Sequence, residues 1–363
     1  MGMRKEKEFI SFFDEKSGLY LRTGIIKEGK DTGEDPFKSS FPELLDIGIM
    51  GHCKHGEKGL CVKAGVECYQ DGLHMTNSNM SLDSFKKIVE QCKGETYQFA
   101  LGGCGDPDQH ENFEEILKLC KSANIVVNFT TSGYGMTDEI ADLCKKYCGA
   151  VAVSWYRSDY TLKAIDKLLE RDVKTNIHYV LNKHSVEEAL CRLKERSFPK
   201  GINAIVFLLH KPVGLGSEQN VISGEDKKFK ELIRYITSEK MDYKIGFDSC
   251  TVPALITETE IEKVCIDTCE AARWSAYITS DMKMLPCSFD NQERKWAVDL
   301  QRFTIQEAWN SLEFEKFRNY FHESCPTCKD REYCKGGCQI RPQIVLCQRS
   351  ARCNPVPNRE RDA

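Results

Sequence analysis

Between residues 44 and 249 short apolar runs alternate with longer amphipathic ones. The short runs, bounded by Gly, Asn, Asp and Ser, predict strands at 44–50, 97–101, 125–130, 150–154, 175–181, 204–209 and 244–248. Apolar residues at helical spacing predict helices at 82–92, with Ser81 as N-cap, and at 113–122, 138–147, 162–171, 185–196 and 225–239. Such alternation implies a parallel sheet with right-handed crossovers. About six units are visible, fewer than a closed eightfold barrel needs, so the expected fold class is α/β with an open or partial barrel. Sites in such sheets gather beyond the C-terminal strand ends.

The pattern differs at both ends of the chain. Residues 1–43 hold two β-like runs, 9–13 and 18–24, separated by Asp14-Glu-Lys, which predict a hairpin with a structural or substrate-contacting role. From residue 250 to 363 cysteines dominate, with a second hairpin expected over 274–287 and an amphipathic helix over 305–317. The expected organisation is therefore an N-terminal extension (1–43), a barrel (44–249) and a cysteine-rich unit (250–363).

Composition narrows the chemistry. The 363 residues are 41% hydrophobic with a net charge of −4, which supplies a sizeable core and no electrostatic case for nucleic acid or a membrane surface. No run approaches about 18 apolar residues, and Met1-Gly-Met-Arg-Lys-Glu-Lys lacks an apolar signal core, so a cytoplasmic location is expected. Nineteen cysteines are too many for an ordinary cytosolic enzyme. In a reducing compartment, metal ligation is the default for those that cluster.

They cluster twice. Cys53, Cys61 and Cys68 follow the first strand on a glycine-containing loop, where three soft ligands suit an iron–sulfur cluster or zinc and would leave one metal position free. Cys325, Cys328, Cys334 and Cys338 lie within fourteen residues around Gly336-Gly337, with Cys265, Cys269, Cys287, Cys347 and Cys353 near them in sequence. The scattered thiols, Cys250 among them, read mostly as small buried hydrophobes, although Cys250 follows the seventh strand and could touch substrate. His52, His55 and His110 are expected behind any ligands or in solvent. Polar loops end the successive strands: Gly102-Gly-Cys-Gly-Asp-Pro, Thr130-Thr-Ser-Gly133, Ser154-Trp-Tyr, Asn182-Lys183 and Lys211-Pro-Val-Gly-Leu-Gly216. Their shared position predicts one small-molecule site, in which Asp106 could accept bonds from an ammonium and Gly214 could pack its backbone against a flat ring.

Together these residues resemble the radical S-adenosylmethionine superfamily, in the subgroup with a C-terminal SPASM domain. The tail fits that domain's C-x2-C-x5-C-x3-C spacing through Cys325, Cys328, Cys334 and Cys338, and its earlier part through Cys269 and Cys287, with Met282 where the family has Gly. The N-terminal match is looser, because the usual C-x3-C-x2-C is stretched here to C-x7-C-x6-C, although Tyr69 after the last Cys falls where the family has an aromatic residue. The longer loop can still bring the thiols together, since closure cost rises slowly with length.

The resemblance implies a partial (β/α)6 barrel and three 4Fe-4S clusters. Cys53, Cys61 and Cys68 would hold the first, Cys265, Cys269, Cys287 and Cys338 the second, and Cys325, Cys328 and Cys334 the third, with Cys353 favoured over Cys347 as last ligand. S-adenosylmethionine would lie among Tyr69, the GGxEP-like loop Gly103, Cys104, Gly105 and Asp106, then Ser132, Ser154, Asn182 and Gly214. The activity implied is hydrogen abstraction from a peptide or protein by a 5′-deoxyadenosyl radical, forming a thioether or carbon–carbon crosslink in a ribosomally made peptide. An external flavodoxin or ferredoxin would supply electrons, and a separate protein could deliver the peptide, because residues 1–43 are too few for a winged-helix recognition domain. The alternative within the family is formylglycine formation in a sulfatase, whose usual base is an Asp in the barrel that the sequence does not single out. Outside it, a zinc-stabilised binding protein would explain the tail but neither the early cysteine triple nor the polar strand ends.

Overall fold

The structure, a computed structural model, describes residues 2–347 apart from 324, 326 and 327. Its centre is a sheet containing seven consecutive parallel strands: β1 (Leu44–Met50), β2 (Gln98–Gly103), β3 (Val126–Thr131), β4 (Cys148–Ser154), β5 (Thr175–Leu181), β6 (Ala204–Leu209) and β7 (Lys244–Phe247). They pair in sequence order. Six helices cross between them: Leu82–Cys92, Phe113–Ser122, Asp138–Tyr147, Asp159–Leu169, Ser185–Glu195 and Lys227–Ser238. The sheet ends at β7 on one side and does not return to β1, so the barrel is open.

Strand alternation decides what each face carries. Leu45, Ile47, Ile49, Phe99, Leu101, Val127, Phe129, Val151, Val153, Ile177, Ile205 and Phe207 are buried and pack in one core with helix residues such as Phe85, Ile88, Ile116, Leu117 and Leu168. The intervening positions, Asp46, Ala100, Asn128, Thr130, Ala152 and His178, line cavities inside the barrel. Small and polar side chains there leave the barrel axis hollow.

At the N-terminal ends of the strands, Gly2–Lys5, Ile10–Asp14 and Leu19–Arg22 form an antiparallel ribbon, the predicted hairpin plus one strand. Phe13, Glu15, Ser17 and Gly18 line the lower cavity together with Gln98, Asn176 and Lys244, so the ribbon closes the end of the barrel opposite the polar strand ends. Glu43 fastens it, accepting from Ser11 Oγ at 2.7 Å and from the Tyr20 hydroxyl.

The cysteine-rich region continues the same sheet. Strand β8 (Ser275–Ile278) pairs in parallel with β1, and β9 (Lys283–Leu285) and β10 (Val298–Asp299) follow antiparallel. The predicted hairpin is therefore present, and Met282 in its turn has φ +64° where the related pattern has Gly. The predicted single helix over 305–317 is two, Ile305–Trp309 and Leu312–Glu323. Ser311 interrupts it by accepting from the Phe314 N–H at 3.3 Å, the local competition that places serine at caps.

Candidate functional site

Strand β1 delivers the cysteine loop to the open end of the barrel. Gly51 O and Ile49 O accept from Asn77 and Met80, and Gly51 N–H donates to Asn79 Oδ1 at 3.0 Å, which pins the base of the loop. Cys53 then caps the short helix Lys54–Glu57, its Sγ accepting from Gly56 N–H at 3.1 Å. Cys61 is buried in Leu60–Lys63. Cys68 O accepts from Leu215 N–H at 2.9 Å, and a Cβ on Gly214 would stand 2.5 Å from Tyr69 O.

Cys53, Cys61 and Cys68 line one cavity of about 370 Å³ with Tyr69, Gly103, Cys104, Gly105, Asp106, Ser132, Ser154 and Asn182. Every cofactor-binding residue expected from sequence faces this space except Gly214. That residue does not line the cavity, because its backbone is pressed against the Cys68–Tyr69 segment and supports it from behind.

The glycine loop packs close on the cysteine loop. Cys104 N–H donates to Met50 O at 3.0 Å, and a Cβ on Gly105 would fall 2.2 Å from His52 O. Asp106 accepts from Ser132 N–H at 2.7 Å and from Ser132 Oγ at 2.5 Å, tying the end of β2 to the end of β3. Burial pushes the Asp106 carboxyl up to about 6 against these bonds, which pull it down. Asp108 lies deeper; burial and then the Asp106 charge push it up to about 7. Among the described residues neither Asp108 oxygen meets a donor in hydrogen-bonding geometry, although the Thr131 hydroxyl is near enough to lower its pKa.

The thiols are drawn up by the same cause. Burial pushes Cys53 and Cys104 to about 12, so in the metal-free protein both are protonated at neutral pH. A thiol ligand must lose that proton on binding metal. Cys104 faces Cys53 and Cys68, whose charges would raise it further. Among the described residues no three His, Cys, Asp or Glu side chains converge as ligands of a single ion would.

Three groups here, Asp46, Tyr277 and His178, were not expected from sequence, and Tyr156 was expected only within the strand end Ser154-Trp-Tyr. Asp46, on β1, points into the cavity with no side-chain hydrogen bond among the described residues, and burial pushes it up to about 7. Tyr277, reaching across from β8, and Tyr69 both feel its charge. His178 on β5 takes a 3.2 Å contact with Thr130 Oγ1, and burial lowers it to about 4, so it is neutral. Tyr156 is half-buried and feels the three thiols and Asp106. The lone acid in an otherwise apolar strand was the available signal for Asp46.

The three histidines have other work. His55 is buried, bonded to Tyr160 OH at 2.7 Å and packed 4.5 Å from the Tyr156 ring. His110 Nε2 bonds Met80 O at 2.9 Å and its Nδ1 accepts from Asn112 N–H, which makes it an anchor for the next helix. His52 forms a bridge with Thr76.

In the C-terminal region Cys334 senses Cys347 and Cys328, while Cys353 lies outside the described residues. Gly224 N–H donates to Val345 O at 3.0 Å, docking the segment that carries Cys347 against the barrel. Cys250 lies close enough to Cys338 for each to shift the other's thiol, and Cys269 and Cys287 adjoin them, whereas Cys265 is exposed on the 3-10 turn Lys263–Cys265.

Residues 269–335 match the SPASM family, an iron–sulfur cluster-binding domain. No curated protein matches the chain by sequence. Among solved structures, Streptococcus suis SuiB bound to S-adenosylmethionine superposes with a TM-score of 0.67 at 18% identity, over 86% of this chain and 78% of that one. The chain has the fold of the SPASM-type radical SAM enzymes. The same SuiB bound to its precursor peptide SuiA gives 0.67 at 17% identity. The enzyme anSMEcpe with bound AdoMet and the Cp18Cys peptide gives 0.60 at 19% identity, over 85% of this chain and 92% of that one. In this radical SAM fold the cavity at the C-terminal strand ends is where the cysteine triple and the glycine loop meet. Among the described residues no helix is long and apolar enough to cross a membrane.

Proposed function

We propose that the chain is a radical SAM enzyme acting on a peptide or protein, and that it matures a ribosomally made peptide by forming a thioether or carbon–carbon crosslink. The observation that carries this reading is the convergence of Cys53, Cys61 and Cys68 with Asp106, Ser132, Ser154 and Asn182 on one cavity above a hollow barrel. A 4Fe-4S cluster on the three thiols, with S-adenosylmethionine on its free iron, would supply a 5′-deoxyadenosyl radical when reduced.

The chain's own residues do the positioning. Asp106, held by Ser132, offers a carboxylate to an ammonium, and Asn182, whose Oδ1 accepts from His184 and Ser185 N–H groups, lines the cavity with an amide N–H2 that makes no hydrogen bond among the described residues. Gly103 and Gly105 let the backbone approach closely, while Trp155 and Tyr156 line one side and exclude water from the reacting carbon. The C-terminal cysteines would hold two further clusters able to accept the electron left after bond formation, and an external flavodoxin or ferredoxin would reduce the first. A separate partner would deliver the peptide to the open end of the barrel, opposite the N-terminal ribbon.

Formylglycine formation remains the second reading, and Asp46 favours it. This barrel carboxylate faces the cavity with no side-chain hydrogen bond among the described residues and with a raised pKa, as a base near an oxidised carbon would. Anaerobic turnover with a cysteine-containing peptide separates the two: a crosslinked product has lost two hydrogens, whereas formylglycine has lost its sulfur and carries an aldehyde. Failure to form 5′-deoxyadenosine under reduction would refute both.

A further inference from the structure

Beside the last barrel strand the structure holds a group of side chains that the reading above leaves unexplained. Lys211 is buried at 2% exposure, and its Nζ makes no hydrogen bond among the described residues. Asp248 Oδ2 lies 3.6 Å away, but that oxygen already accepts from Leu209 N–H at 2.9 Å. The Phe289 ring covers the ammonium at 4.2 Å. What the ammonium otherwise faces is sulfur, from Cys250 and Cys338.

These two sulfurs belong to a set of four. Cys250 and Cys338 lie close enough for each to shift the other's thiol, and Cys338 in turn feels Cys269 and Cys287. Each comes from a differently anchored element. Cys250 sits on the 3-10 turn Ser249–Thr251, fixed where Thr251 Oγ1 donates to Asp248 Oδ1 at 2.9 Å. Cys287 ends the β8–β9 hairpin, and Cys338 follows Gly336 and Gly337, both at positive φ. A buried ammonium is costly unless an anion compensates it; Asp248, at 3.6 Å and shared with Leu209 N–H, does so without a direct hydrogen bond, and four neutral thiols add nothing. Four thiolates around a 2+ iron–sulfur core carry a net charge of about −2 and would add to that compensation.

We infer that Cys250, and not Cys265, completes the first auxiliary cluster site with Cys269, Cys287 and Cys338, and that Lys211 is its buried counter-charge. The inference rests on the proposal that this region binds clusters, and it gives that cluster a ligand from the barrel itself. Cys265 is exposed, and Cys338 meets Cys250, Cys269 and Cys287 instead, so the nearness of Cys265 to Cys269 in sequence does not make it a ligand. As a positioning residue outside the ligand set, Lys211 would stabilise the more negative, reduced cluster and so raise its potential.

The test uses the full-length protein, reconstituted with iron and sulfide under anaerobic conditions, as wild type and as Cys250→Ala, Cys265→Ala and Lys211→Met. Cys250→Ala is expected to lose about four irons and four sulfides per chain while the other cluster signals persist, and Cys265→Ala to lose none. Loss in Cys265→Ala with retention in Cys250→Ala overturns the ligand assignment. Should Cys250→Ala fail to fold, Lys211→Met decides through a redox titration followed by electron paramagnetic resonance. A more negative potential for one cluster supports the counter-charge, and unchanged potentials overturn it. Wild type that binds zinc or nothing at these cysteines defeats the underlying reading instead.

Discussion

Ser132 holds Asp106 twice, through its backbone N–H at 2.7 Å and its hydroxyl at 2.5 Å, so two neighbouring strand ends share one buried carboxylate. Ser132→Ala removes one bond to an ionisable group and is expected to cost about 1–3 kcal/mol in denaturant unfolding. Asp106→Asn is expected to weaken S-adenosylmethionine binding to reconstituted protein roughly 10- to 100-fold, the loss of one charge-assisted bond. Equilibrium binding checks this, and unchanged affinity would remove Asp106 from the site.

Asp108 should govern part of the pH dependence of stability. Its folded pKa, raised by burial to about 7, lies above the unfolded value, so the folded state keeps a proton that the unfolded chain releases. Its stabilising effect is full below about pH 4 and is lost as pH rises through 7. Asp108→Asn carries no such charge and is expected to melt higher than wild type at pH 8, with the advantage gone at pH 4. Thermal melts at the two pH values decide the point.

Met282 sets two effects against each other. Its φ of +64° strains a non-glycine backbone by about 1–2 kcal/mol, yet its side chain is 5% exposed in the core, where emptying the space costs about 2–5 kcal/mol. The lost packing outweighs the relieved strain, so Met282→Gly should destabilise the protein by about 1–3 kcal/mol. A stabilised variant in chemical denaturation would show that the turn is strained more than the core is filled.

Gly105→Ala tests the close approach of the two loops. Its Cβ would stand 2.2 Å from His52 O and 3.1 Å from Cys53 Cα, backbone that cannot swing aside. The variant should keep its fold by circular dichroism while the iron bound by the N-terminal thiols falls and S-adenosylmethionine affinity drops by about tenfold or more, each factor of ten being about 1.4 kcal/mol.

Much of the fold was legible because the periodic signal was strong. The helices Leu82–Cys92, Phe113–Ser122 and Asp138–Tyr147 begin and end where pattern and caps place them, and the strand edges shift by a residue or two. The break at Ser311 was hidden because Trp309, Phe314, Phe317 and Phe321 are buried on both sides of it, so apolar spacing runs through the interruption. The site was half legible. Thiols and glycines announce themselves by spacing, but Asp46 and His178 gain their meaning from facing inward in a sheet whose curvature no local pattern encodes. Cys250 stands alone in sequence and meets Cys338 only because strand β7 and the Gly336-Gly337 turn come together in the fold.

Function in this chain depends on Cys53, Cys61 and Cys68 gripping iron with one corner left for S-adenosylmethionine. The decisive experiment records the electron paramagnetic resonance spectrum of the reduced, reconstituted protein before and after that nucleotide is added, in wild type and in Cys53→Ala/Cys61→Ala/Cys68→Ala. A changed signal is expected in wild type and none in the triple variant, whose C-terminal cluster signals persist. An unchanged wild-type spectrum, or a shift that survives removal of all three thiols, would contradict the assignment.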